Sequence, residues 1–116
     1  MNALQVSGYG VNILSKLEYA ASAEKALGPN DVMIKVVAAG LNPIDYKMIY
    51  GIMRIVGKDP LPPYTLGFDL AGIVLKKGLN VTDFAPGDEV YSKVPWEQIG
   101  TVCFTAVVRA DMVAKK

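Results

Sequence analysis

A small, partly open β-barrel with one or two short helices is the fold this sequence predicts, and three observations predict it. About six short runs rich in β-branched and aromatic residues follow one another along the chain. Clusters of Gly, Pro, Asn and Asp punctuate them at short intervals. Only one segment, Asn42-Pro43-Ile44-Asp45, carries a full set of helix-start signals. Many short strands with little helix have exposed edges to hide, and curling toward a barrel hides them.

Ala3 to Val6 and Val11 to Leu17 read as two strands paired through Gly8-Tyr9-Gly10. Gly28-Pro29-Asn30-Asp31 is a turn, and Val32 to Ala39 after it is apolar on both faces, as a central strand would be. At Asn42-Pro43-Ile44-Asp45, an N-cap Asn, a Pro at N1 and an acid at N3 start a helix. Gly51 can end it as C′. Pro60, Pro62 and Pro63 make Gly57 to Thr65 an irregular loop. Phe68 to Leu75 is a strand, with Gly72 where a side chain would be crowded. Lys76-Lys77-Gly78 turns the chain, and Ala85-Pro86-Gly87-Asp88 has the residues of a type II turn. Glu89 to Val94 and Thr101 to Arg109 complete the strands.

Composition excludes several functions. The 116 residues suit one domain, and with 52% hydrophobic and 20% charged residues a core can form. Twelve basic residues against 11 acidic give a net charge of +1, with no basic cluster to hold a nucleic acid. No apolar run approaches the ~18 residues that mark a membrane span. Met1 to Gly10 lacks the basic and apolar regions of a secretory signal, so the cytoplasm is the expected compartment. The sequence has no histidine and one cysteine, Cys103. A structural zinc site needs about four Cys or His ligands, so no zinc is expected, and Ser-His or Cys-His nucleophile pairs cannot form. Cys103, between Val102 and Phe104, reads as a small buried hydrophobe.

Two motifs fail on inspection. Gly8-Tyr9-Gly10 begins like a dinucleotide fingerprint, but Ile13 occupies the third glycine position and no βαβ unit follows. Gly51 to Lys58 has the wrong spacing for a phosphate loop, and Asp59 would repel phosphate.

Three segments in order carry more information: Ala38-Ala39-Gly40-Leu41-Asn42-Pro43-Ile44-Asp45-Tyr46-Lys47, Leu66-Gly67-Phe68-Asp69-Leu70-Ala71-Gly72-Ile73-Val74 and Phe84-Ala85-Pro86-Gly87-Asp88-Glu89-Val90-Tyr91. Together they resemble the N-terminal GroES-like domain of the medium-chain dehydrogenase/reductases, in the zinc-independent quinone oxidoreductase and enone reductase branch. The resemblance spans nearly the whole chain, so residues 1–116 are expected to be one GroES-like domain. The nucleotide-binding Rossmann domain of the family is expected to be absent from them. Zinc-dependent relatives place a cysteine where Asn42 stands and a His-Glu pair where Phe68-Asp69 stands. The zinc-free branch implies delivery of a hydride from NADPH to an activated double bond, with the protein binding, orienting and polarising the substrate.

The same resemblance nominates site residues. Lys47 is the first candidate, as a contact to cofactor and substrate; the alternative is a solvated helix lysine. Asn42 would bond a substrate carbonyl or the nicotinamide ribose, or serve only as a helix cap. Tyr50 would donate a proton or line the cleft, or simply fill core or rim. Asp45 reads as a first-turn dipole partner and Asp69 as a tie for a turn or strand. One stretch departs from the family: Phe104-Thr105 stands where Glu-Tyr is usual, which implies apolar packing in place of a buried acid.

The resulting expectation is the substrate-side domain of an NADPH-dependent quinone or enone oxidoreductase, inactive by itself and without a cofactor of its own. The alternative is a stand-alone, non-catalytic module that binds a partner or assembles with itself. A homodimer is expected in either case, through Met48, Ile49, Ile52 and Met53 around the helix and Val94, Trp96 and Ile99 further on. Neither nucleic acid nor membrane is an expected partner.

Overall fold

The computed structural model describes residues 2–10, 13–21, 26–50, 64–95 and 99–116. The segment expected as a central strand is one: β3 (Asp31–Ala38) lies between two neighbours in a five-stranded antiparallel sheet. That sheet runs β7 (Thr105–Arg109), β3, β5 (Asp69–Lys77), β6 (Glu89–Lys93) and β8 (Val113–Lys115). Its strands alternate, so one face forms the core. Val32, Ile34, Leu70, Val74, Val90, Ala106 and Val108 are buried there. Two register shifts between β3 and β5 curve the sheet around this core. Gly72 of β5 lies tight against β3. A Cβ there would meet the Lys35 carbonyl and the Ile34 side chain, so the expected crowding is real.

A smaller sheet has the order β2 (Leu17–Ala21), β1 (Asn2–Val6) and β4 (Tyr64–Thr65). The hairpin expected over Val11 to Leu17 takes a different form. Ile13–Lys16 is a helical turn, α1, and the strand paired with β1 starts at Leu17. Leu17-Glu18-Tyr19-Ala20-Ala21 has no β-branched residue, so its extended form comes from pairing along all of β1 rather than from its own propensity.

The two sheets do not close into one barrel, in keeping with the partly open, mainly β fold that was expected. Backbone hydrogen bonds connect their ends. Leu4 donates to the Val102 carbonyl (3.0 Å) and Val102 to that of Leu66 (2.9 Å), while Val36 of β3 donates to that of Phe104 (2.9 Å). The expected strand over Thr101 to Arg109 is therefore shortened at its start, where residues before Thr105 make this connection through an isolated bridge between Ala3 and Cys103.

The local turn signals are met. Gly87 has φ +96°, and the Asp88 N–H bonds the Ala85 carbonyl at 3.1 Å, closing the type II turn before β6. β5 runs two residues further than expected, through Lys77, so the chain reverses at Leu79-Asn80 rather than at the lysines. A short 3-10 turn, Ala110–Met112, leads into β8 on the edge of β6, and the Ser92 hydroxyl donates to the Met112 carbonyl (2.6 Å).

The helix started at Asn42 is α2, Pro43–Ile49. Its Met48 and Ile49 are fully buried, as is Val94, so these three belong to the core and not to the exposed contact patch expected of them. The helix is amphipathic, and its inner face closes over the core while Tyr46, Lys47 and Tyr50 face out. Phe104, expected to pack inward, is 55% exposed, with its ring edge-on to Tyr19 at 6.1 Å. Cys103 is half-buried rather than buried; its thiol lies within reach of the Gly100 and Thr105 carbonyls. Gly51, Ile52, Met53, Trp96 and the proline-rich loop up to Pro63 lie outside the described residues. Among the described residues, no helix is long and apolar enough to cross a membrane.

Candidate functional site

The N-terminus of α2 meets the start of β5, and the sequence builds that junction from short-range rules. Asn42 is extended (φ −126°, ψ 162°), and Pro43 follows with its ring set for helix. The Asn42 backbone N–H donates to Asp45 Oδ2 at 2.7 Å, the acid-to-cap half of a capping box. Asp45 is only 3% exposed, and its Oδ1 has no hydrogen-bond partner among the described residues. Burial raises its pKa above the ordinary value, the Asn42 N–H opposes that shift, and the negative charge of Asp69 adds to it.

Asp69 ties this loop to the sheet, as the sequence reading expected. Its Oδ1 accepts the Gly40 N–H at 2.6 Å and its Oδ2 accepts Asn42 Nδ2 at 3.0 Å. A Cβ at Gly40 would meet the Asp69 carboxylate, so glycine allows this close approach without moving Asp69. A carboxylate can only accept, so the Asn42 amide must turn its nitrogen to Asp69.

A cleft of about 600 Å³ opens beside this pair. Asn42 and Asp69 give it an amide and a carboxylate, and Ile44, Phe68, Val94 and Pro95 give it apolar walls. Lys93 supplies a cation. A second cleft of about 550 Å³, with Leu70, Tyr91 and Met112 in its lining, shares Asp69 and Lys93 with the first. Pockets of this size with apolar walls and few polar groups suit a small molecule.

Of the residues nominated from sequence, Asn42 lines the cleft. Lys47 and Tyr50 do not; they lie further along α2 and are exposed. Tyr50 sits at the C-cap with its ring edge-on to Tyr46 at 5.8 Å. Lys47 makes no ion pair with a described residue. The sequence reading passed over Lys93. The alternation of β6 puts it on the outer face, but only the pairing of β6 with β5 sets it opposite Asp69.

The donor set here does not suit zinc. Asn42 offers an amide already turned to Asp69, and Phe68 is apolar. No cluster of three His, Cys, Asp or Glu occurs among the described residues.

Residues 28–115 match the alcohol dehydrogenase GroES-like domain. Over 128 residues the chain is 38% identical to the mitochondrial NAD(P)H oxidoreductase RTN4IP1 of Bos taurus, covering 100% of this chain and 32% of that protein. Over 122 residues it is 42% identical to the chloroplastic NADPH-dependent alkenal/one oxidoreductase of Arabidopsis thaliana, covering 100% of this chain and 31% of that protein. Among solved structures, the quinone oxidoreductase from Coxiella burnetii superposes with a TM-score of 0.87 at 28% identity, covering 100% of this chain and 37% of that one. The chain thus spans about a third of the length of these relatives.

Proposed function

The chain belongs to the alcohol dehydrogenase GroES-like domain family, and from that premise we propose that it is the substrate-side domain of an NADPH-dependent, zinc-independent reductase of quinones or enones. The observation that carries the proposal is the cleft at the start of α2. There an amide anchored by Asp69 stands over apolar walls, in the place where zinc-dependent relatives are expected to put their metal ligands. Such a site can bind a flat apolar carbonyl compound and polarise its oxygen by hydrogen bonding, with no metal needed.

NADPH, when bound, supplies the hydride. The Asn42 Oδ1 can accept a ribose hydroxyl, and the exposed Lys47 can face a phosphate. All strand pairs among the described residues are antiparallel and offer no glycine-rich βα turn, so a separate nucleotide domain would hold most of the cofactor. Residues 1–116 alone would then be inactive.

The test is to follow NADPH consumption with a quinone or an enone, comparing residues 1–116 with a protein that joins them to a nucleotide domain. The joined protein should turn over and the short chain should not. Turnover by residues 1–116 alone would overturn this division of labour.

Self-association through a second copy is part of the same reading. Tyr19, Val37 and Phe104 are exposed where β1, β2 and β3 adjoin residue 104, and they support it. Light scattering across a dilution series should give about twice the mass of one chain, and 12.5 kDa at every concentration would exclude the dimer.

A further inference from the structure

Among the described residues, Lys93 is the one cation that lines the cleft, and nothing in the sequence motifs selects it. It ends β6 directly opposite Asp69, the first residue of β5. Side chains directly opposite in an antiparallel pair leave the same face of the sheet. Here that is the outer face, because Leu70 and Ser92, the next pair, are buried. Asp69 is held by Gly40 and Asn42, which orients the Asn42 amide, and the β5–β6 pairing sets Lys93 on the same face as that anchored carboxylate. Lys93 makes no ion pair with a described residue, and it borders both clefts. A long, mobile ammonium at the mouth of an apolar slot is suited to an oxygen that gains negative charge.

We propose that Lys93 is a catalytic residue of this cleft, donating a hydrogen bond to the carbonyl oxygen of a quinone or enone substrate. The assignment rests on the reading of the cleft as a carbonyl site. In the reaction, a hydride from NADPH brings an electron pair to the β-carbon. The double-bond pair shifts toward the α-carbon and carbonyl, leaving an enolate oxygen beside the ammonium. Water then protonates the α-carbon and is left as hydroxide, which the solvent neutralises, and NADP⁺ is the oxidised product. Lys93 transfers no proton in this step and serves only to stabilise the oxygen.

The test uses residues 1–116 and a ketone that does not react with thiols. Isotope-labelled chain is titrated with 1-indanone and, separately, with indane, which has the same shape without the oxygen. The wild-type chain should bind both with amide shifts at 42, 44, 45, 68, 69, 93 and 94, and the ketone more tightly. Lys93→Met, which keeps an apolar stem, should weaken ketone binding about tenfold and leave indane unchanged, as expected for a charge-assisted hydrogen bond. Unchanged ketone affinity in Lys93→Met, or the same loss from Lys47→Met instead, would overturn the assignment. If neither compound moves those amides in the wild-type chain, the cleft itself is not the carbonyl site and the assignment falls with it.

Discussion

Replacing Asp69 with alanine removes the acceptor that joins the α2 start to β5. Two hydrogen bonds are lost, from the Gly40 N–H at 2.6 Å and from Asn42 Nδ2 at 3.0 Å. A hydrogen bond to a charged group contributes about 1.5–3 kcal/mol. The Asn42 amide is exposed and finds water once released, so its share is small. The Gly40 N–H is half-buried and bears most of the loss. Removing the Asp69 charge also relieves Asp45, which offsets part of the cost. The net expectation is about 2 kcal/mol for Asp69→Ala. Asp69→Asn should cost about half that, because an amide oxygen can still accept the Gly40 N–H. With a urea m-value of about 1–3 kcal/mol/M, the alanine variant should lose about 1 M in midpoint at constant slope. Equilibrium urea unfolding measures it. A change within about 0.5 kcal/mol, the range of an unimportant surface residue, would refute the view that Asp69 organises the site.

Asp45 makes a pH prediction. Its folded pKa is raised above 3.8, so the stability that its protonated form adds is complete below the unfolded value and is lost as pH rises through the folded one. Asp45→Asn keeps an acceptor for the Asn42 N–H and cannot ionise. The wild-type chain should therefore lose stability relative to this variant as pH rises from about 3.8 toward neutrality; a pH-independent difference in unfolding free energy would count against it. Gly72→Ala should destabilise by about 1–3 kcal/mol through overpacking against Lys35 and Ile34, and an unchanged thermal midpoint would mean the strands separate at no cost. Elemental analysis after dialysis against a chelator should find well under one zinc per chain, and a stoichiometric value would contradict the zinc-free reading.

What could be read from the sequence was mostly local. Asn42, Pro43 and Asp45 lie within one helical turn, and their cap forms as their chemistry dictates. The same holds for Pro86 and Gly87 in the turn before β6. The features that escaped depend on distant segments. Leu17–Ala21 becomes a strand because β1 pairs with it, although its composition argues for none. Met48 and Ile49 look like contact residues on a short helix until the inner face of α2 is set against the core. Phe104 looks like core, but the residues before β7 are occupied in connecting the two sheets, and its ring is left outside. Lys93 reads as one more polar position on an alternating strand; only the register between β5 and β6 brings it to Asp69.

The central claim is that the cleft beginning at Asn42 is where a carbonyl substrate meets the hydride. Its most direct test is kcat/KM of Asn42→Ala, measured with NADPH and an enone or quinone in a protein that joins residues 1–116 to a nucleotide domain. The account predicts a fall of about tenfold or more, beyond the stability loss of about 1 kcal/mol that removing the cap and its bond to Asp69 carries. An unchanged kcat/KM would reduce Asn42 to a helix cap and place the chemistry elsewhere.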